Sequence, residues 1–135
     1  MKQLTREWLN AAEDDLAAIE KLMDDPILTN IVAFHSQQAI EKTLKAIIEE
    51  FAISFIKTHN LQSLLMKIED IIPFIVNELV ISELDHLYID ARYPGGMGLM
   101  PHGKPTLKEA KIYYQEALKV KVQTEEFLLK LSKLP

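Results

Sequence analysis

Apolar positions recur at spacings of three and four along most of this chain, the period of a helix that buries one face. The first run covers about residues 5–23 and sets Leu9, Ala12, Leu16, Ile19 and Met23 on one side, with Trp8 beside them. Asp24-Asp25-Pro26 closes it, because the residue before a proline is pushed out of the helical region. A second helix is predicted over about residues 28–51. The β-branched and aromatic stretch 52–57 then reads as an extended connector. Thr58 or Asn60 is placed to cap a third helix carrying Leu61, Leu64, Leu65 and Ile68. Pro73 marks a break or a first helical turn, and a fourth helix runs to about Ala91. It starts either near Pro73 or later, with Ser82 as cap and Asp85 facing the free amides, and its inner edge is Leu84, Leu87, Tyr88 and Ala91. From about Thr106 onward, Ala110, Tyr113, Ala117, Val120, Thr124, Phe127, Leu131 and Leu134 repeat for about seven turns. No stretch alternates as a strand would, so the expected fold is an all-α helical bundle.

The second helix breaks the usual division into a wet and a dry face. Val32, Ala39, Ile40, Thr43, Leu44, Ala46 and Ile47 sweep a very wide apolar arc, which predicts a central position in the bundle. His35, Gln38, Lys42, Lys45 and Glu49 fall in a narrow stripe beside that arc. Polar groups on such a helix must be paired inside the fold, lie at a subunit seam or line a cleft. A bundle of this size is not expected to bury every apolar face of this helix, which predicts a homodimer.

Length and composition narrow the class. At 135 residues, residues 1–135 form one domain large enough for a core of its own. There is no cysteine, hence no disulfide framework and no thiolate metal site. The first residues enter an amphipathic pattern directly, with no signal-peptide apolar run, and no stretch is long enough to span a bilayer. A cytoplasmic protein with no membrane association is expected. The net charge of −5 argues against broad coating of nucleic acid but leaves room for a small basic cleft.

All four glycines and three of the six prolines gather in one loop over residues 94–105, which is predicted to be the most mobile internal segment. Arg92 and Tyr93 stand at its mouth, and it contains His102 and Lys104. A guanidinium there suits an anion or phosphate; its plainer role is a bidentate tie to Asp85, Asp90 or a glutamate across a dimer. The plainer reading of His35 is a hydrogen-bonded core or interface histidine, and of Lys45 and Glu49 an intrahelical ion pair. His59 suits capping or turn chemistry beside Thr58. His86, next to Asp85, suits an exposed or interface position, Tyr113 a packed one, and Tyr114 an edge facing the loop or a partner. The four histidines have no metal-ligand spacing, so neither a metal nor another cofactor is expected. Gly95-Gly96-Met97-Gly98 follows no strand and is no dinucleotide fingerprint.

Three motifs in order, Phe34-His35-x-Gln37-Gln38-Ala39-x-Glu41-Lys42-x-Leu44-Lys45-Ala46, Thr58-His59-x-Leu61 and Ala91-Arg92-Tyr93-Pro94, resemble the HEPN domain family. Asp14-Asp15-Leu16 and the long last helix also sit where that family has them. The resemblance implies an up-and-down bundle of four to five helices, usually dimeric. It also implies a role beside a minimal nucleotidyltransferase, commonly in a toxin–antitoxin pair. Several branches are metal-independent ribonucleases whose arginine is followed by a histidine after four to six residues; here Arg92 and His102 are separated by nine. Two functions follow. The first is a homodimeric nucleotide- or anion-binding interaction module that uses His35, Gln38, Lys42, Arg92 and Tyr93. The alternative is a ribonuclease in which Arg92 stabilises the developing phosphorane charge and His102 transfers the proton.

Overall fold

A computed structural model describes residues 1–54, 56–90 and 103–134, with Asp90 described in its backbone alone. Among the described residues five helices follow in order: α1 (Gln3–Leu22), α2 (Thr29–Glu50), α3 (Leu61–Ile68), α4 (Glu78–Asp90) and α5 (Leu107–Ser132). The architecture is an all-α bundle, with no strand among the described residues. Among the described residues, no helix is long and apolar enough to cross a membrane.

Local chemistry explains where the helices begin. Asn60 caps α3, its side chain accepting from the Ser63 amide at 2.8 Å. Thr106 and Glu109 form a reciprocal capping box at the start of α5, at 3.0 and 2.8 Å. The fourth helix starts at Glu78, between the two expected starts near Pro73 and at Ser82. The Asn77 side chain accepts from the Leu79 and Val80 amides at 3.1 and 3.2 Å, so asparagine and not Ser82 supplies the cap. The start of α1 has no side-chain cap of its own. It is tied instead to the far end of α2, where the Glu50 carboxylate accepts from the Lys2 amide at 3.0 Å and the Thr5 hydroxyl at 2.9 Å. That tie fixes α1 and α2 as an antiparallel hairpin.

The central helix is α2, which packs against all four others. Val32, Ala33, Ala39, Ile40, Leu44, Ala46, Ile47 and Ile48 are all buried within the single chain. The apolar arc therefore needs no second copy to cover it, because α1, α5, α3 and α4 surround it. Tyr113 of α5 is buried to 1 % exposure and donates its hydroxyl to Glu83 at 2.8 Å. Burial, reinforced by that carboxylate, pushes its phenol well above the ordinary range. Packing fades toward the end of α5, where Leu129 and Leu134 are exposed.

Of the glycine-rich loop, residues 94–102 lie outside the described residues. Gly103 adopts φ +107°, a conformation that side-chain-bearing residues rarely reach. Next to it, Lys104 donates to the Ile27 carbonyl at 2.9 Å and so anchors the loop's far end to the α1–α2 turn.

Candidate functional site

The seam between α1 and α2 holds the first polar cluster. Asp15 occupies the buried register of α1 among Ala12, Leu16 and Ile19. An ionised carboxylate there must be answered by donors. His35 and Lys42, two helical turns apart on one face of α2, supply them: His35 Nδ1 lies 2.8 Å from Asp15 Oδ1 and Lys42 Nζ 2.8 Å from Oδ2. Burial alone would raise the Asp15 carboxyl, but the hydrogen bonds and charges of His35 and Lys42 outweigh it and hold the group below its usual value. Since an ionised carboxylate only accepts, Nδ1 of His35 carries the hydrogen, leaving Nε2 as an acceptor on the neutral ring. Asp15 is 8 % exposed against 27 % for His35 and 25 % for Lys42, so solvent reaches the donors and hardly reaches the carboxylate.

A second cluster lies on the other side of the stripe. The buried Glu41 carboxylate accepts from Lys45 at 2.9 Å and Gln37 at 3.1 Å, and His59 Nδ1 lies 3.1 Å from both its oxygens. Burial again acts upward on Glu41, and the donors Lys45, Gln37 and His59 reverse it to a net lowering. Gln37 also donates to the His59 carbonyl at 3.0 Å, and Gln38 donates to Gln37 Oε1 at 2.7 Å. Lys45 Nζ lies 5.6 Å from the centre of the Trp8 ring, a cation–π distance. Close by, Asp85 accepts from the Leu61 and Gln62 amides at 2.7 and 3.3 Å. Burial raises its carboxyl, with those amides and His86 opposing and Glu41 adding to the rise.

Aromatic rings connect the two clusters. His35 meets Phe34 edge-on at 5.6 Å, Phe34 stacks on Tyr88 at 6.1 Å, and Tyr88 lies 5.1 Å from His59. The result is two carboxylate-held imidazoles at the ends of one row of rings, with lysines alongside. Such a surface offers charge-assisted donors and ring faces. Among the described residues, no group of three histidine, aspartate or glutamate side chains is placed to hold a metal.

The structure brings His35 and Lys42 together on one carboxylate, and Gln38 joins the neighbouring network through Gln37. Arg92, Tyr93 and His102 lie outside the described residues. Several plainer expectations need correction. Lys45 pairs with Glu41, one turn toward the N-terminus, and not with Glu49. The Glu49 carbonyl instead accepts from Lys2 Nζ at 2.9 Å. Asp85 faces free amides, but those of α3, because α4 has already begun seven residues before it. His59 binds Glu41 through its ring while Thr58 and Asn60 make the turn. The Tyr114 hydroxyl lies 3.3 Å from Glu20, and His86 is exposed, in keeping with the expectation for it.

Sequence reasoning passed over Asp15, Gln37 and Glu41 as members of the site. A signal for each was present, since all three fall at buried registers of amphipathic helices, where an acid or amide requires partners.

A family model, that of the HEPN domain, matches residues 5–128, nearly the whole chain. No curated protein and no solved structure matches it.

Proposed function

The chain belongs to the HEPN domain family, and from that premise we propose that it is a dimeric nucleotide- or anion-binding interaction module, the partner of a minimal nucleotidyltransferase in a toxin–antitoxin-type system. Membership makes it a nucleotide- or RNA-related module; the anion-binding part of the reading is supported by the Asp15 clamp. Lys42 uses one of its donors on Asp15 and keeps the others within reach of solvent. Its position is fixed before any ligand arrives, which lowers the ordering cost of binding.

Charge bookkeeping dictates what else is required. One carboxylate beside one lysine leaves no surplus of fixed positive charge. An anion therefore needs a further cation, and Arg92, in the arginine-tyrosine-proline motif, supplies it in this reading, with Tyr93 beside it. The dimer rests on family habit, because α2 buries its apolar arc within one chain.

The test is calorimetric titration of the full chain with ATP and with inorganic pyrophosphate. Binding should be lost in Arg92→Ala and weakened at least ten-fold in Lys42→Met, with the Arg92→Ala melting temperature within a few degrees of wild type. Undiminished binding by Arg92→Ala would refute the reading. Light scattering at micromolar concentration should return twice the chain mass. Co-expression with the adjacent reading frame tests the partner. The ribonuclease alternative predicts cleavage of mixed RNA in the presence of chelator, abolished by Arg92→Ala and by His102→Ala.

A further inference from the structure

On another part of the bundle, α3 and the start of α4 enclose an open groove of about 610 Å³. One wall is a single face of α3, Gln62, Leu65, Met66 and Glu69, at the i, i+3, i+4, i+7 spacing. Phe74 and Val76 of the connector and Leu79 and Ile81 of α4 complete the apolar lining. Met66 and Leu79 are each 69 % exposed, and neighbouring Ile75 is 76 % exposed, an unusual concentration of large apolar side chains in water.

The groove is firmly built. The backbone of Ile75 exchanges two hydrogen bonds with the Gln123 side chain, both at 2.8 Å, and the Asn77 amide donates to Glu116 at 2.7 Å. The connector is thus fastened to α5, and Ile81 beneath it is 1 % exposed. Its rim is acidic. Glu69 and Glu78 line it with no lysine, arginine or histidine among the lining residues, and neither glutamate forms an ion pair among the described residues.

We propose that this groove docks an amphipathic helix of a different chain, apolar on its buried face and flanked by lysine or arginine. Charge selects the partner. A two-fold contact between copies of this chain would set Glu69 and Glu78 against their own likenesses, whereas basic flanks complement them. Shape selects the helix. No strand among the described residues offers an edge to extend, and the α3 wall is about 10 Å long, matching anchors spread over two helical turns. Met66 adds an adaptable side chain suited to such contacts.

The probe is a fluorescein-labelled synthetic helix with leucines at i, i+3, i+4 and i+7 and lysines at its flanks, compared by anisotropy with the isomer carrying glutamates in place of the lysines. The full chain should bind the lysine form at least ten-fold more tightly. Leu79→Ser and Met66→Ser, both at exposed positions and checked for native circular dichroism, should each weaken binding about ten-fold without changing net charge. Glu69→Gln with Glu78→Gln should weaken it several-fold and flatten its salt dependence. The charge-matched pair Asp14→Asn with Glu126→Gln, on α1 and α5, should leave it unchanged. Failure to bind the lysine form, equal binding of the two peptides, or equal weakening by the charge-matched pair would overturn the proposal. So would conversion of a dimer to a monomer by Leu79→Ser, which would make a second copy the occupant.

Discussion

Lys42 has the composition of a surface residue and the position of a structural one, and its removal separates the two descriptions. In Lys42→Met the Asp15 carboxylate, 8 % exposed, loses one of its two charged or polar partners. Breaking a fully buried pair costs about 3–5 kcal/mol. Here His35 keeps its bond to Asp15 and water reaches the edge of the cluster, so the expected cost is about 2–3 kcal/mol, the upper part of the range for a hydrogen bond to a charged group. The converse change, Asp15→Asn, leaves an amide oxygen to accept one bond and a lysine that is 25 % exposed and can turn to solvent. Its cost should therefore be no greater, at about 2 kcal/mol. At roughly 2.1 cal/mol/K of unfolding entropy per residue, 2 kcal/mol in a chain of 135 residues lowers the melting temperature by about 7 °C. Urea unfolding of the two single variants and the double variant closes a cycle, in which a coupling of about 1 kcal/mol or more is expected for groups in direct contact. A Lys42→Met cost below about 0.5 kcal/mol, the level of an ordinary surface substitution, would refute the clamp as described. So would zero coupling to Asp15.

Further outcomes follow from the same contacts. Glu41→Ala should cost about 3–5 kcal/mol in urea unfolding, since it leaves Lys45, 11 % exposed, without its carboxylate; a loss under 1 kcal/mol would contradict the burial described. Thr106→Ala should cost about 1 kcal/mol by removing one half of the α5 capping box, and an unchanged urea midpoint would argue that α5 starts elsewhere. Asp15 and Glu41 both titrate below their ordinary values. Their stabilisation is present above the unfolded carboxylate range, about pH 4, and is lost as pH falls through their lower folded values. Asp85 is raised, so its contribution has the opposite sign, present at acid pH and lost as pH rises through its folded value. Urea midpoints between pH 2 and 6 should fall toward acid less steeply in Asp15→Asn than in wild type, and identical profiles would count against Asp15 as a depressed carboxyl.

The helices were legible because their information is local. Each face repeats at three and four, and the starts of α3, α4 and α5 are marked by Asn60, Asn77 and Thr106, each within a few residues of the amides it satisfies. The central place of the second helix was legible too, since an arc as wide as that from Val32 to Ile47 has to be surrounded. The start of the fourth helix is the exception: of Pro73 and Ser82 neither is its cap, and Asn77 between them satisfies the first free amides.

Pairing was where sequence reasoning stopped. His35, Gln38, Lys42 and Lys45 could be set on one stripe by geometry, but their partners lie at other points of the chain. Asp15 comes from 20 residues before His35, and His59 from 18 residues after Glu41. Lys45 illustrates this, with a glutamate one turn away on either side and a helical pair worth only about 0.2–0.5 kcal/mol, the better order being the glutamate-before-lysine one that Glu41 offers. Only the tertiary fold buries Glu41, and burial makes an unanswered carboxylate costly enough to claim the lysine. The sequence by itself determined the helical class, the central helix and its polar stripe, because periodicity and capping act over a few residues. Tertiary structure alone decided which acid holds which base and that one chain suffices to bury the central helix, because those outcomes depend on which surfaces remain in water.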